Sequence, residues 1–200
     1  MGRTLMNAAT DPVLDKSSQS ESADQMIFKG DSDSSRIVFL SGDVTENSIH
    51  SIIATMIALS SSSTKPIYMI VSTYGGSVDE MFALYDCIKF IKCPVRTIAM
   101  GKVMSAGVLL LASGEKGKRL IGKNARIMIH PVSGVSHGNV FEVMNETTEH
   151  LRLQNTMVDA LVTETKMTKE QAQKIMQLGH DYYLTAEQAV EFGIVDKIIG

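Results

Sequence analysis

The sequence predicts an α/β fold built on a parallel sheet, and three observations carry that prediction. Apolar β-rich runs alternate with segments of helical period along the chain. Two of the runs, KPIYMIVSTYGG (65–76) and ARIMIHPV (125–132), are nearly continuous apolar stretches, as in strands covered on both faces. Glycine, proline and serine fall at the junctions, where the chain must turn. A length of 200 residues suits one domain with an appendage.

The elements follow in order. Residues 1–25 are rich in Ser, Asp and Glu without periodicity and are expected to form a mobile tail or propeptide, with the domain proper spanning 26–200. RIVFLSG (36–42) reads as a strand ending in a turn, and ENSIHSIIATMIALSSSS (46–63) as a helix that dissolves into serines. After the 65–76 strand, Val78, Met81, Phe82, Tyr85, Ile88 and Ile91 keep to one helical face, and Pro94 follows the helix end. VRTIAMG (95–101) is a further strand, SAGVLLLASG a short apolar helix, and 125–132 a third buried strand. Strand–helix alternation of this kind favours right-handed parallel crossovers. The amphipathic segment 139–165 has no strand to return to and is expected to project as an arm used for assembly. Two helices open with capping boxes, Thr168–Gln171 and Thr185–Gln188, and GIVDKIIG closes the chain as an edge strand.

Composition narrows the function classes. The chain is 44% apolar and 20% charged, with a formal net charge of -3, so no electrostatic grip on nucleic acid or an anionic membrane is expected. No run is apolar and long enough to span a bilayer, and the N-terminus lacks a secretory core. Gly2 invites myristoylation, but Met6 stands where Ser or Thr is wanted. Cys87 and Cys93 read as buried free thiols in a reducing compartment, hence a cytoplasmic protein with no metal site and no cofactor.

Four features carry possible chemistry. In MGKVMSAGVLLLASG (100–114), Ser105 lies at a strand-to-helix junction, where a hydroxyl is either a helix N-cap or a nucleophile at an elbow. STYGGS (72–77) sets two glycines at the end of a buried strand, as a plain turn or as a source of oxyanion-binding N–H groups. His130 ends another buried strand, its backbone held extended by Pro131, and is either a satisfied core histidine or a general base. His50, His137, His150 and His180 fall in polar helical or turn segments instead. Asp181 precedes an aromatic pair and a capped helix, as a turn aspartate or as a carboxylate orienting an imidazole. The serine, the glycine pair and the histidine all fall at carboxyl ends of strands. In a parallel sheet those ends share one edge, and nucleophile, base and oxyanion donors converging there make an acyl-transfer site.

Taken together and in this order, RIVFLSGDV, PIYMIVSTYGGSV, TIAMGKVMSAGVLLLASGEKGKR, NARIMIHPVSG and LTAEQAVEFGIVDKI resemble the Clp protease (ClpP) family over residues 26–199. The resemblance implies a ClpP/crotonase-like fold of repeated β-β-α units with a projecting handle at about 135–165. It implies a serine endopeptidase with Ser105 as nucleophile, His130 as base and Asp181 orienting the histidine, and an oxyanion hole from the N–H groups of Gly76 and Ala106. The substrate would lie as an added strand between Gly76, Ser77 and Val78 on one side and Ser133, Gly134 and Val135 on the other. Two stacked heptameric rings are implied, fed with unfolded polypeptide by a Clp/Hsp100-type ATPase unfoldase that docks on Tyr68, Ile70, Phe90, Ile98, Met100 and Leu120. The chain departs from the family pattern at four places: MSAG for Ala-Ser-Met-Gly around the serine, STYGG for Asn-Ser-Pro-Gly-Gly, Gly122 for a large apolar residue, and His180 for the arginine before the aspartate. Alternative readings are a catalytically weak ring scaffold mixing with an active homologue, and a crotonase-type acyl-CoA enzyme. The latter needs site carboxylates that the strand ends lack.

Overall fold

The computed structural model describes residues 34–200; the expected tail and the first residues of the expected domain, 1–33, lie outside the described residues. Strands are β1 (Ile37–Val44), β2 (Ile67–Gly76), β3 (Val95–Met104), β4 (Leu120–Gly122), β5 (Arg126–Ile129), β6 (Tyr182–Leu184) and β7 (Lys197–Ile199). Helices are α1 (Glu46–Ser62), α2 (Val78–Phe90), α3 (Ala106–Ala112), α4 (Val140–Glu164), α5 (Lys169–Met176) and α6 (Ala186–Glu191).

The sheet runs β1-β2-β3-β4-β7, all parallel, with β5 added to the far end of β3 and β6 added to β5. The first half of β3 pairs with β4 through Ile98 and Ala99, and its last three residues pair with β5. A bulge separates the two halves, because Val71 and Thr73 of β2 face Ala99 and Val103. Gly101, at φ +69, lies within the bulge, where a side chain would be strained. Gly101 therefore bends a strand that continues to Met104, rather than ending it as the sequence suggested.

Two strands escape a reading by periodicity. β4 and β6 have three residues each, too short to display a period of two. β6 adds one antiparallel pairing, with β5, to the expected parallel sheet. The other elements match their expected positions within a few residues. Both predicted capping boxes are present, and α4 covers the predicted arm. β7 lies at the sheet edge.

The core is one cluster between the sheet and the helices, with Leu40, Met56, Met69, Leu109, Leu111 and Ile121 wholly buried. α3 has all seven residues buried, which explains its continuous apolar sequence. Arg36 is buried too, because its guanidinium donates to the carbonyls of Leu59, Ser63, Lys65 and Pro66 and so closes the serine-rich end of α1. A smaller cluster forms on the opposite face of the sheet from Tyr68 and Ile98, with Ile37, Ile70, Leu120 and Ile199 packed against them. On β2, Tyr68 and Ile70 alternate with the core residues Ile67, Met69 and Val71, as the period of two requires.

No helix among the described residues is long and apolar enough to cross a membrane. α4 buries Met157, Val158 and Leu161 at its C-terminal end, whereas Val140, Phe141, Met144 and Leu151 nearer its start are exposed.

Candidate active site

Ser105 sits between β3 and α3 at φ 53 and ψ -125, the one non-glycine with positive φ among the described residues. A backbone held there costs about 1–3 kcal/mol and persists only where the surroundings impose it. Here they do. The Ser105 N–H donates to Met128 O at 2.8 Å, and Met104 pairs with Met128, so the turn is stitched to β5. Behind it runs β2: a Cβ on Gly75 would come within 2.7 Å of Ser105 Cβ and 2.9 Å of Met104 O. Gly75 is thus the glycine that lets the second strand approach the serine turn.

Thr73 organises this junction without having been singled out in the sequence. It is wholly buried, donates its hydroxyl to Gly42 O at 2.5 Å and accepts from the Gly75 N–H at 2.9 Å. Its methyl lies where a Cβ on Gly107 would fall. The signal was a buried polar residue beside a glycine pair, which becomes legible only once β1 is known to be its partner.

The position of Ser105 before α3 is an N-cap position, but its side chain makes no capping hydrogen bond. Its Oγ lies 2.7 Å from His130 Nε2 instead. With the imidazole proton on Nδ1, the serine hydroxyl donates to Nε2, the arrangement that activates a nucleophile. His130 immediately follows β5 and is half-buried. The competing histidines lie elsewhere: His50 is 3.8 Å from a Glu80 carboxylate oxygen, the His150 ring faces Gly134, and His137 and His180 are exposed.

Asp181 comes near this pair through backbone pairing. β5 and β6 match Ile127 with Leu184, Met128 with Tyr183 and Ile129 with Tyr182, so the next step of the same register sets His130 opposite Asp181. Its carboxylate, however, accepts a hydrogen bond from the Tyr183 hydroxyl at 3.1 Å, and His130 makes its side-chain hydrogen bond to Ser105 alone. Asp181 is exposed. The structure joins two members of the expected triad and brings the third alongside.

Gly76 ends β2, with its Cα hydrogens against the backbone of Val44. Ala106 is the first residue of α3, so its N–H has no partner within the helix. Of the expected substrate-facing segments, Ser133, Gly134 and Val135 are exposed and outside any helix or strand. On the other side, Gly76 ends β2, Ser77 is the N-cap of α2 and Val78 is the first residue of that helix. A cavity of about 710 Å³ adjoins this edge, walled by Asp43, Glu46, Tyr74, Gly76, Ser77 and Glu80. Tyr74, the replacement for the family's proline, is exposed and stacks under the Lys102 ammonium, 4.4 Å from its ring centre.

Of the expected docking residues, Tyr68, Ile70, Ile98 and Leu120 belong to the small cluster on the outer sheet face. Phe90 and Met100 are 81% and 46% exposed. Phe39, 63% exposed on β1, shares the alternation of Ile37 and adds an apolar side chain that the sequence reading did not include.

Residues 19–200 match the family model described as Clp protease. The chain is 38% identical over 166 residues to "ATP-dependent Clp protease proteolytic subunit 3" of Synechococcus sp. (strain CC9902), covering 82% of each chain. It is 37% identical over 166 residues to "ATP-dependent Clp protease proteolytic subunit 2" of Prochlorococcus marinus (strain NATL2A), again covering 82% of each chain. The chain belongs to the Clp protease family.

Proposed function

We propose that this Clp protease family member is a serine endopeptidase subunit that cuts unfolded polypeptide inside a ring assembly. The observation that carries the reading is the Ser105 hydroxyl: it occupies an N-cap position, leaves the helix uncapped and faces His130 Nε2 at 2.7 Å. A structural cap serine would do the reverse.

In the reaction, Ser105 Oγ attacks the scissile carbonyl carbon while His130 Nε2 takes its proton. The resulting oxyanion is held by the N–H groups of Gly76 and Ala106. The intermediate collapses, the C–N bond breaks, and His130 returns the proton to the leaving amine. Water, deprotonated by the same imidazole, then hydrolyses the acyl-serine ester and restores the enzyme. An Asp181 carboxylate brought onto Nδ1 stabilises the imidazolium in both halves. Substrate backbone pairs with Gly76–Ser77 and Ser133–Val135, so affinity comes from main-chain hydrogen bonds and selectivity for side chains is low.

Two surfaces fit the assembly of the family. The exposed Val140, Phe141, Met144 and Leu151 of α4 are apolar area that a second ring would cover, in two stacked heptamers. The outer-face cluster around Tyr68 and Ile98 receives a Clp/Hsp100-type ATPase unfoldase, and the work is cytoplasmic protein quality control. The carrying test is a fluorophosphonate probe: it is expected to label Ser105 in the assembled protein, and Ser105→Ala to remove labelling and lower peptide cleavage at least ~10³-fold. Labelling at another residue, or none in an assembled ring, overturns the reading.

A further inference from the structure

The third triad position has a second claimant. Asp181 directly precedes β6 and Tyr183 is the strand's second residue, so the alternation along the chain turns both to one face, while Tyr182 between them packs against the core. The Tyr183 hydroxyl reaches back along that face to Asp181 Oδ2 at 3.1 Å. Residues directly opposite on an antiparallel pair have Cβ atoms about 4.5–5.5 Å apart, so an aspartate facing His130 is within one side-chain rotation of it. The observed pairing ends at Ile129 and Tyr182, and the same register carried one residue on sets Asp181 against His130, so no new strand pairing is needed. His180 Nδ1 lies 3.1 Å from Asp181 O, on the peptide rather than on the carboxylate.

Resting on the peptidase reading above, we propose that Tyr183 is a positioning residue that competes with His130 for the Asp181 carboxylate, giving the carboxylate two stations. In the first, seen here, Tyr183 holds it and the serine–histidine pair stands without its third member. In the second, it accepts from His130 Nδ1–H and the triad is complete. Tyr183 is suited to the task because it remains a donor at neutral pH: its hydrogen bond to Asp181, and then that carboxylate's charge, push its phenol above the ordinary range. At 53% exposure it is open to solvent, so releasing the carboxylate strands no buried polar group.

The charged neighbours are few. Arg126 on β5 acts on the phenol from one side. Lys123, before β5, and Glu187, on α6, line a cavity with Tyr183. The His180 ring adjoins Asp181 in sequence, and from α4 the Gln154 amide oxygen accepts from the Val132 N–H while His150 faces Gly134.

The test follows fluorophosphonate acylation of Ser105 against pH in the full chain, for wild type, Tyr183→Phe, Asp181→Asn and the double variant. A carboxylate on Nδ1 favours the imidazolium and so raises the pH at which the base becomes available. Tyr183→Phe is expected to raise the plateau rate at least ~3-fold and to move the acid limb upward by ~0.5 pH unit or more. In the Asp181→Asn background the same change is expected to do neither. An unchanged limb and plateau in Tyr183→Phe, a lowered plateau, or an effect that survives Asp181→Asn overturns the competition. Those outcomes leave the nucleophile intact, because Ser105 is still labelled, whereas absence of labelling in every variant overturns the peptidase reading itself.

Discussion

The two ends of α3 are both buried against the same sheet and are finished in opposite ways. At the C-terminal end every available device satisfies the helix carbonyls. Thr97 donates to Leu111 O at 2.7 Å, Ser113 to Leu110 O at 2.7 Å, and the Arg119 guanidinium to Ala112 O at 3.1 Å. Arg119 also reaches Glu164 O at 2.7 Å and grips both oxygens of Asp196. The Glu164 side chain takes the Lys89 ammonium at 2.7 Å and the Tyr85 hydroxyl at 2.8 Å, with Lys116 at 3.4 Å. Burial alone would push the Glu164 carboxyl up. Hydrogen bonds from Lys89 and Tyr85, then the charges of Lys89 and Lys116, outweigh it and hold the group below the ordinary carboxylate range. At the N-terminal end the cap is withheld. A strained serine turns its hydroxyl to His130, and the closeness of β2 depends on glycines rather than on charges.

The difference teaches where stability resides and where it has been given up for chemistry. The C-terminal end is a polar hub in which each buried group has a partner, so its parts fail together when one is removed. The N-terminal end keeps an N–H and a hydroxyl unengaged by the helix, at the cost of backbone strain.

That contrast breaks most visibly at Arg119. Arg119→Ala removes the donor to Ala112, Glu164 and Asp196 at once and is expected to cost about 3–5 kcal/mol in urea unfolding. A loss below about 1 kcal/mol would show that the hub is ornamental to the fold. Next comes Gly107→Ala, which pushes a methyl into the Thr73 side chain and sets it 3.2 Å from Val103 Cγ1. We expect about 1–3 kcal/mol of destabilisation, with slower probe labelling because Thr73 also holds Gly75. The smallest effect has the opposite sign. Ser105→Gly places at φ 53 the residue that tolerates it, and is expected to raise stability by up to about 1 kcal/mol while abolishing labelling. A destabilised Ser105→Gly protein would mean that the serine turn is held by its hydroxyl rather than strained around it.

Much of the fold was legible because its signals are local. The capping boxes at Thr168 and Thr185 are satisfied as read, and the face formed by Met81, Tyr85 and Ile88 turns inward. The site was legible in part. Ser105 and His130 stood at strand ends, and the structure brings them into contact. The glycine pair did not show which member packs against the serine turn: it is Gly75, a placement that depends on which strand face meets β3. Thr73 was silent because its partners, Gly42 and Gly107, are more than 30 residues away in sequence. β6 was silent because three residues cannot show a period, although its pairing with β5 brings Asp181 towards His130.

By itself the sequence determined the alternation of strands and helices, the caps, the projecting α4 and the residue types needed for acyl transfer. Each of these depends on neighbours within a turn or two of chain, where periodicity and capping chemistry act. Tertiary structure decided the rest: the bulge at Gly101 that hands β3 from β4 to β5, the serine's choice of His130 over its own helix, and the antiparallel pairing of β6 with β5. Those outcomes depend on pairing between distant strands, where register sets which side chains meet, and no local pattern encodes a register.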